Sequence, residues 1–549
     1  MKEKRHSNIT GVDIPGEIEY NDLSETEKNT ITKALHRGVT RREFMTWLMA
    51  TGVTVASAGS IFTSAKTAMA ETPKRGGKLK FATDLHGPTD TMDPMMATSS
   101  IDYTRHRAHY NSLVQLNEKV IPQPELAEEF SMNDSATEFT FKIRKDVVFH
   151  DGSKLTADDV VWSMQRHLGK DSKSVVKPLV AGVKEWKKVD SHTVKAILSS
   201  PDADLVTVLG VFQFKIAKKD TKDWQKSPGT GPFTLKEFKP GVRALHERNK
   251  NYWREGPNLD VFETTAITDS VARVNALLSG DMQIAALVDP KAIRQVEGTP
   301  GVHISSIPSG QYMGICCMTN TAPGNNPDFV MAMKLLQRRE RILKSILKKQ
   351  GTLGNDHPIN IAYPDHCDTL AQRKFDPDKA KFHLKKSGIT QAEIQVAEVA
   401  PGITDTVLMT QREAAKIGLK LDIKRVPNDG YWGAIWMKTP LNVTTWNNRP
   451  TANSMLSIAF APDAPWNDTL WKNERLGELL VISRAEKDPI KRKEMYCEMQ
   501  TITHNECGMV IPAHLNYVDG ISDKVKGIPW VPLGNVGASE FPEFAWLEG

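Results

Sequence analysis

From Phe139 to Arg144, apolar and polar residues alternate: Phe139, Phe141 and Ile143 are separated by Thr140, Lys142 and Arg144. A period of two predicts a half-buried strand. Asp151-Gly152 predicts a turn after it. Thr156 stands three residues before Asp159, the spacing of a capping box, which predicts a helix start. Val160, Met164 and Leu168 then recur every fourth position and form the buried stripe of that helix. Strands are likewise predicted over 78–83, 312–318 and 510–514. A helix is predicted after Asp269, with Val274, Leu277 and Leu278 as its core and Gly280 as its stop. Further helices are predicted over 329–350, 375–388 and the first part of 411–426, with a long helical tract over 478–506.

Gly229-Thr230-Gly231-Pro232-Phe233 predicts a sharp chain reversal, with glycine taking up positive φ. It is a poor phosphate loop: no Lys-Ser/Thr follows, and Phe233, Leu235 and Glu237 continue as a strand rather than a helix.

Composition narrows the class. A chain of 549 residues is long enough for two or three domains. With 40% hydrophobic and 25% charged residues it reads as a soluble globular protein. Its net charge of +5 and lack of long Lys/Arg runs argue against a nucleic-acid partner. Five cysteines are an odd number, so at least one is free or pairs with another chain. No C-x-x-C is present to suggest a zinc ribbon or a thioredoxin-type site. Cys316 and Cys317 fall in an apolar run and read as buried strand residues. Cys497 and Cys507 are candidates for a disulfide, with their Cα separation left open.

Residues 1–38 are polar and read as a disordered lead-in. Arg41-Arg42 followed by Glu43-Phe44-Met45 resembles a twin-arginine export motif. The stretch from Trp47 to Phe62 is only modestly apolar, too weak for a membrane span of ~20 apolar residues. Ala68-Met69-Ala70 supplies a signal-peptidase site, so cleavage is expected after Ala70. No cysteine follows that point to carry a lipid anchor. A periplasmic protein is expected, exported through the Tat translocon.

The segment FTFKIRKDVVFHDGSKLTADDVVWSMQR at 139–166, with strand, HDG turn and T-A-D-D-V helix start in register, resembles the signature of the extracellular solute-binding proteins of family 5. Other stretches are similar to the same family: Met92-Asp93-Pro94, Leu113-Val114-Gln115-Leu116, Pro124-Glu125-Leu126-Ala127-Glu128, the GTGPF loop, the helix after Asp269, and Phe375-Asp376-Pro377-Asp378-Lys379-Ala380. The resemblance covers nearly all of residues 76–549. It implies an α/β, two-lobed periplasmic-binding-protein (clamshell) fold of the large dipeptide-binding type, with an extra small subdomain. Lobe I would comprise 71–116, 229–320 and 512–549, the inserted subdomain 117–228, and lobe II 321–511. It further implies the substrate-binding component of an ABC importer, a small-molecule solute, permease subunits as partners, a monomer and no cofactor.

No residue pattern demands catalysis: G-x-S-x-G, H-E-x-x-H and a Walker loop are all missing from the sequence. His106 and His109 share a helical face, but Arg105 and Arg107 beside them oppose a metal. Asp158 and Asp159 suit a helix N-terminus better than a catalytic pair. Candidate ligand residues cluster in Thr444-Thr445-Trp446-Asn447-Asn448-Arg449-Pro450. The family resemblance implies that peptide-binding members carry an aspartate in this loop for the ligand's amino terminus. This chain has Arg449 and two asparagines instead, a set that suits a carboxylate, phosphate or polyol. Tyr312, after Gly310, is a further candidate, as are Trp466 in its loop and Trp432 near Asn428 and Tyr431. Trp432 and Trp436 are four apart, so helix packing accounts for at least one of them equally well. An exported enzyme and a periplasmic sensor or chaperone on the same fold are the alternatives.

Overall fold

Two strands much longer than the rest, Val302–Cys317 and Met509–Ser522, run antiparallel through the middle of an eleven-stranded mixed sheet. The computed structural model describes residues 73–83, 90–427, 431–464 and 466–548. The predicted leader, with Arg41, Arg42, Ala68 and Ala70, and the candidate Asn428 lie outside the described residues. Beyond the end of the pair that holds Ser522 come Ile284–Ala285, Lys78–Thr83, Val261–Ala266, Arg243–Arg248 and Phe233–Lys239. Beside the end that holds Cys317 come Leu441–Trp446, Gln391–Val396 and Lys420–Arg425. Each side has its own core. Leu79, Phe81, Phe233, Phe262 and Phe541 cluster on the first, and Met313, Ile315, Met333, Ile394, Val407 and Val443 on the second.

The register of the central pair slips between Pro308 and Gln311, where it passes from one side to the other. Pro308 has no N–H to give the ladder. The Ser309 hydroxyl takes over, donating to the Leu515 carbonyl at 2.7 Å and accepting the Gln311 N–H at 3.0 Å. At Gly310 a Cβ would stand 2.5 Å from the Tyr363 ring and 2.7 Å from Asn448 Cβ. Only glycine admits both neighbours at this point.

The alternation at 139–144 is realised as strand Glu138–Ile143 of a separate four-stranded antiparallel sheet with Ala127–Met132, Thr193–Leu198 and Val183–Lys188. Phe139, Phe141 and Ile143 pack with Val160 and Met164 of helix Ala157–Gln165. The capping box forms: Asp159 Oδ2 accepts the Thr156 N–H at 2.9 Å. Asp158 faces outward to Lys188 at 2.6 Å.

Several expectations need correction. Gly229 and Gly231 do not take positive φ. They are needed for close approach, since a Cβ on Gly229 would stand 1.9 Å from the His109 carbonyl oxygen. The helix expected over 329–350 is regular only as Pro327–Leu335. Arg338 leaves helical geometry (ψ 63°), and Arg339 turns inward to grip both oxygens of buried Asp356 at 2.7 Å, joined there by Arg373. The tract expected over 478–506 is two helices, Glu474–Ala485 and Pro489–Glu506. Pro489 cannot continue a helix but suits its first turn, and Asp488 caps the new start by accepting from Ile490 and Lys491.

The Cys497–Cys507 pairing does not form. Ten residues along a helix separate Cα atoms by ~15 Å, well beyond disulfide reach. Cys497 bonds instead to Cys367, at a Cα–Cα distance of 4.9 Å, while Cys507 is a buried free thiol, as are Cys316 and Cys317. His106 and His109 are core residues: their Nε2–H groups donate to the Thr91 and Ser227 carbonyls at 2.9 and 2.8 Å. Burial drives both imidazoles well below their usual pKa, His106 to about 3.

Helices Glu474–Ala485 and Pro489–Glu506 and the link between them also touch the segment of the four-stranded sheet. Arg492 ion-pairs with Asp204, the Ala203 N–H donates to the Arg484 carbonyl at 2.8 Å, and Lys487 meets Asp134 at 3.1 Å.

The Cys367–Cys497 bond closes a chain segment of 130 residues. Long loops lose the most unfolded-state entropy when cross-linked, so the bond should contribute about 2–5 kcal/mol. Denaturant unfolding of the Cys367→Ser variant should show a loss of that order. An unchanged midpoint would remove the bond from the account of stability.

Candidate ligand-binding site

A cavity of about 620 Å³ lies where the first turn of helix Ser100–His109, the central strand pair, the loop after strand Leu441–Trp446 and the C-terminal segment meet. That volume is typical of small-molecule sites. A second hollow, of about 610 Å³, is walled by Arg248, Arg254 and Asp260 among others. Two of its arginines are already matched, Arg248 to Asp260 at 2.9 Å and Arg254 to Glu543 at 3.0 Å, and the third, Arg75, reaches the Glu255 carbonyl at 3.4 Å. The first cavity, lined by the sequence candidates Asn447, Asn448, Arg449 and Trp466, is the stronger candidate.

The helix reaches the cavity through its N-terminal end. Ser99 caps it by accepting the Asp102 N–H. Tyr103, one turn in, stacks on Phe212 with centroids 4.3 Å apart and planes 8° off parallel. Arg107, a turn further, is buried and ion-paired with Glu540, with Glu125 at 3.6 Å. Burial raises the Glu540 carboxyl to about 7, against the pull of Arg107 and Lys215.

Opposite lies the loop 447–450. Strand Leu441–Trp446 ends there, and Thr451 starts helix Ala452–Ala459 by accepting the Ser454 N–H. Four residues therefore turn the chain, and side-chain bonds set their course. Gln311 Nε2 donates to Asn447 Oδ1 at 2.6 Å, the Tyr517 hydroxyl to Asn448 Oδ1 at 2.6 Å, and Asn448 Nδ2 to the Pro532 carbonyl at 2.8 Å. Gln311 and Tyr517 belong to the two central strands, so the loop is fastened to the crossing itself.

Arg449 donates its backbone N–H to the Tyr363 hydroxyl at 3.0 Å. Its Nη1 makes only long contacts, 3.4 and 3.5 Å, to the Asn447 and Asn448 carbonyls. The guanidinium lies 5.4 Å from the Trp446 ring centroid, close enough for a cation–π attraction. It forms no ion pair among the described residues. Burial lowers its pKa, opposed by the phenols of Tyr363, Tyr103 and Tyr517.

Behind the wall, buried Asp468 organises the aromatics. One carboxylate oxygen accepts from the Trp436 indole N–H and from the Thr444 hydroxyl at 3.2 Å. The other accepts from the Trp446 indole N–H at 2.6 Å. Burial raises this carboxyl to about 7 despite those three donors. Trp466 approaches Trp446 with centroids 6.1 Å apart.

Of the residues singled out in the sequence, Asn447, Asn448, Arg449 and Trp466 line the cavity. Trp446 is buried behind it and supports Arg449. Tyr312 is off the wall: it is wholly buried, paired across the sheet with Trp446 and packed edge-on to His514. Trp432 is also off the wall. It is 45% exposed on the short helix Tyr431–Ala434 and packs edge-on against Trp436. Sequence reasoning missed Tyr103, Gln213, Tyr517 and Asn535, which line the same cavity from four distant parts of the chain. Only Gln311, next to Gly310, carried a local hint. Among the described residues no cluster of three or more metal-binding side chains occurs, and no helix is long and apolar enough to cross a membrane.

Comparison with known proteins places this geometry. The profile described as "Bacterial extracellular solute-binding proteins, family 5 Middle" matches residues 122–468, more than half of the chain. The dipeptide-binding protein of Escherichia coli K12 is 23% identical over 501 residues, covering 82% of this chain and 91% of the relative. The periplasmic binding protein DppA from Helicobacter pylori, solved with the peptide STSA, superposes with a TM-score of 0.72 at 21% identity, covering 87% of this chain and 99% of that one. The binding protein AgaA from A. tumefaciens R10, solved with agropinic acid, superposes with a TM-score of 0.72 at 22% identity, covering 86% and 99%.

The raised pKa of Asp468 gives a test of this wall. A carboxyl whose folded pKa of about 7 lies above its ordinary 3.8 contributes stability that is full below about pH 4 and lost as pH rises toward 7. Relative to Asp468→Asn, wild-type protein should therefore lose stability between pH 4 and 7. Urea unfolding of both proteins across that range checks the slope; a pH-independent difference would count against it.

Proposed function

The chain belongs to the bacterial extracellular solute-binding proteins of family 5, and on that premise we propose that the cavity beside Arg449 is where it holds its solute. It is the substrate-binding component of an ABC importer, capturing a small polar solute and delivering it to permease subunits in the inner membrane. The observation that carries the site assignment is Arg449: a guanidinium on the cavity wall, fastened through its backbone and stacked on Trp446, with no carboxylate partner among the described residues. Arginine presents a rigid fork of donors suited to planar anions.

Capture proceeds by closure of two lobes about the central strand pair, a hinge motion. Lobe I comprises 71–116, 229–320 and 512–549, lobe II comprises 321–511, and the subdomain 117–228 rides on lobe I. The irregular pairing at Pro308–Gln311 supports this pivot, because the regular ladder is interrupted there. The protein acts as a receptor without catalysis, as a monomer. Export by the twin-arginine route with cleavage after Ala70 rests on the Arg41-Arg42 and Ala68-Met69-Ala70 pattern. The Cys367–Cys497 disulfide fits an oxidising compartment such as the periplasm.

Native mass spectrometry of protein purified without refolding should reveal a retained solute. Charge reversal by Arg449→Glu should weaken its binding at least about 10-fold by calorimetry. Retained affinity would remove Arg449 from the site. Deletion of the gene should abolish uptake of that solute; intact uptake with altered signalling would favour a sensor instead, and turnover of the solute an enzyme.

A further inference from the structure

Two buried carboxamides line the cavity. Gln213 is 4% exposed; its Nε2 donates to the Ala97 carbonyl at 2.9 Å, and its Oε1 has no partner among the described residues. Asn535 is 5% exposed, and its Nδ2 likewise has none. The two lie on adjoining segments, since a Cβ on Gly534 would stand 3.1 Å from Phe212 Cζ. An amide group buried without a hydrogen bond is destabilising, so such groups in a cavity wall are sites for an incoming polar group.

Asn535 is held by an unusual turn. Val536, Gly537, Ala538 and Ser539 all have φ between 47° and 61°. Left-handed geometry is unfavourable for residues with a Cβ, and it persists only where surroundings impose it. Here Asp519 accepts the Val536 N–H at 2.7 Å, the Thr104 hydroxyl donates to Ser539 Oγ at 2.9 Å, and a Cβ on Gly537 would stand 1.9 Å from the Pro529 carbonyl oxygen.

Resting on the reading of this cavity as the solute site, we infer that the solute is a carboxylic acid bearing hydroxyl or amide groups, its carboxylate on Arg449 and its neutral polar groups on Gln213 and Asn535. Charge selects the acid. The lining carries two cations, Arg107 and Arg449, and one carboxylate, Glu540, among the described residues. Arg107 is matched to Glu540 and, at 3.6 Å, to Glu125 behind the wall, which leaves Arg449 as the one lining cation without a carboxylate partner. The first turn of helix Ser100–His109 adds the positive end of its dipole on the same wall. One free cation balances a monoanion better than a phosphate dianion, and a free ammonium finds no unmatched carboxylate on the described wall. The unpartnered Oε1 and Nδ2 supply one acceptor and one donor, the complement of a hydroxyl or a secondary amide.

The test uses protein freed of bound solute by partial unfolding and dialysis, with gluconate and N-acetylalanylalanine as acid probes. Sorbitol serves as the uncharged match of gluconate, alanylalanine as the free-amine match of the acetylated dipeptide, and glucose 6-phosphate as the phosphate arm. Thermal shift and calorimetry should show at least one acid probe binding, and its match and the phosphate binding about 10-fold or more weakly. Arg449→Gln should remove the preference for the acid over its uncharged match. Asn535→Leu should weaken acid and match by a similar factor, with an unliganded Tm near wild type. If Asn535→Leu fails to fold, Gln213→Met replaces it. Failure of both acid probes to bind, binding of sorbitol, alanylalanine or the phosphate as tight as the acids, or an acid preference surviving Arg449→Gln, each overturns the inference. A basic or uncharged solute retained in native mass spectrometry also overturns it while leaving the receptor reading intact. If neither a probe nor any cellular solute binds, the receptor reading itself fails.

Discussion

The structure depends on one backbone constraint: strands Val302–Cys317 and Met509–Ser522 stay paired while passing from one core to the other, their register shifting between Pro308 and Gln311 and again between Met313 and Ile315. Pro308 removes a donor, Ser309 substitutes its side chain, and Gly310 leaves room that Tyr363 and Asn448 occupy. Because Asn448 is in that space, the loop bearing Arg449 is set against the crossing and not merely near it. Gln311 and Tyr517, the strand residues beside the slip, then bond the two asparagines of the loop. A side chain at residue 310 would displace all of these together.

Charge is arranged around the same point with an asymmetry that has functional meaning. Several arginines elsewhere are matched to carboxylates: Arg339 and Arg373 share Asp356, and Arg107 has Glu540, whereas buried Lys215 and Lys334 bond to the Ser112 hydroxyl and the His504 carbonyl. Arg449 stands apart, supported by an aromatic face and phenols. Desolvating a cation without a counter-ion is costly, and a solute anion is the natural relief. Asp468, three hydrogen bonds deep behind the wall, holds the indoles of Trp446 and Trp436 in place.

Further contacts tie the segment of the four-stranded sheet to helices Glu474–Ala485 and Pro489–Glu506. Asp204 with Arg492, and Ala203 with Arg484, join parts of the chain nearly three hundred residues apart. They are matched polar contacts, so this junction needs no apolar seam. Polar junctions of this kind suit surfaces that must separate and meet again.

Local pattern determined a good deal. The alternation of Phe139, Phe141 and Ile143 and the Thr156–Asp159 cap specified a strand and a helix start because both depend on neighbours within a few residues. The same holds for the core role of Cys316 and Cys317, in an unbroken apolar run. The loop Asn447–Arg449 stood out in sequence because a strand end, two amides and an arginine coincide in one short stretch, and the fold puts it on a cavity wall. Pro489 was equally local, and it divided a tract whose periodicity alone read as continuous. The rest required the fold. Tyr312 and Arg449 look alike as candidates in sequence, yet the alternation of faces along a paired strand sends Tyr312 into the core. The helix breaks at Arg338, and Arg339 reaches an aspartate seventeen residues on. Cys497 chose Cys367 across 130 residues over Cys507, which helix rise puts out of reach. The cavity itself joins Tyr103, Gln213, Arg449, Tyr517 and Asn535, and no short-range rule relates them. Sequence determines what each segment can be from interactions among near neighbours; tertiary structure decides which segments meet, and a binding site is made by that meeting.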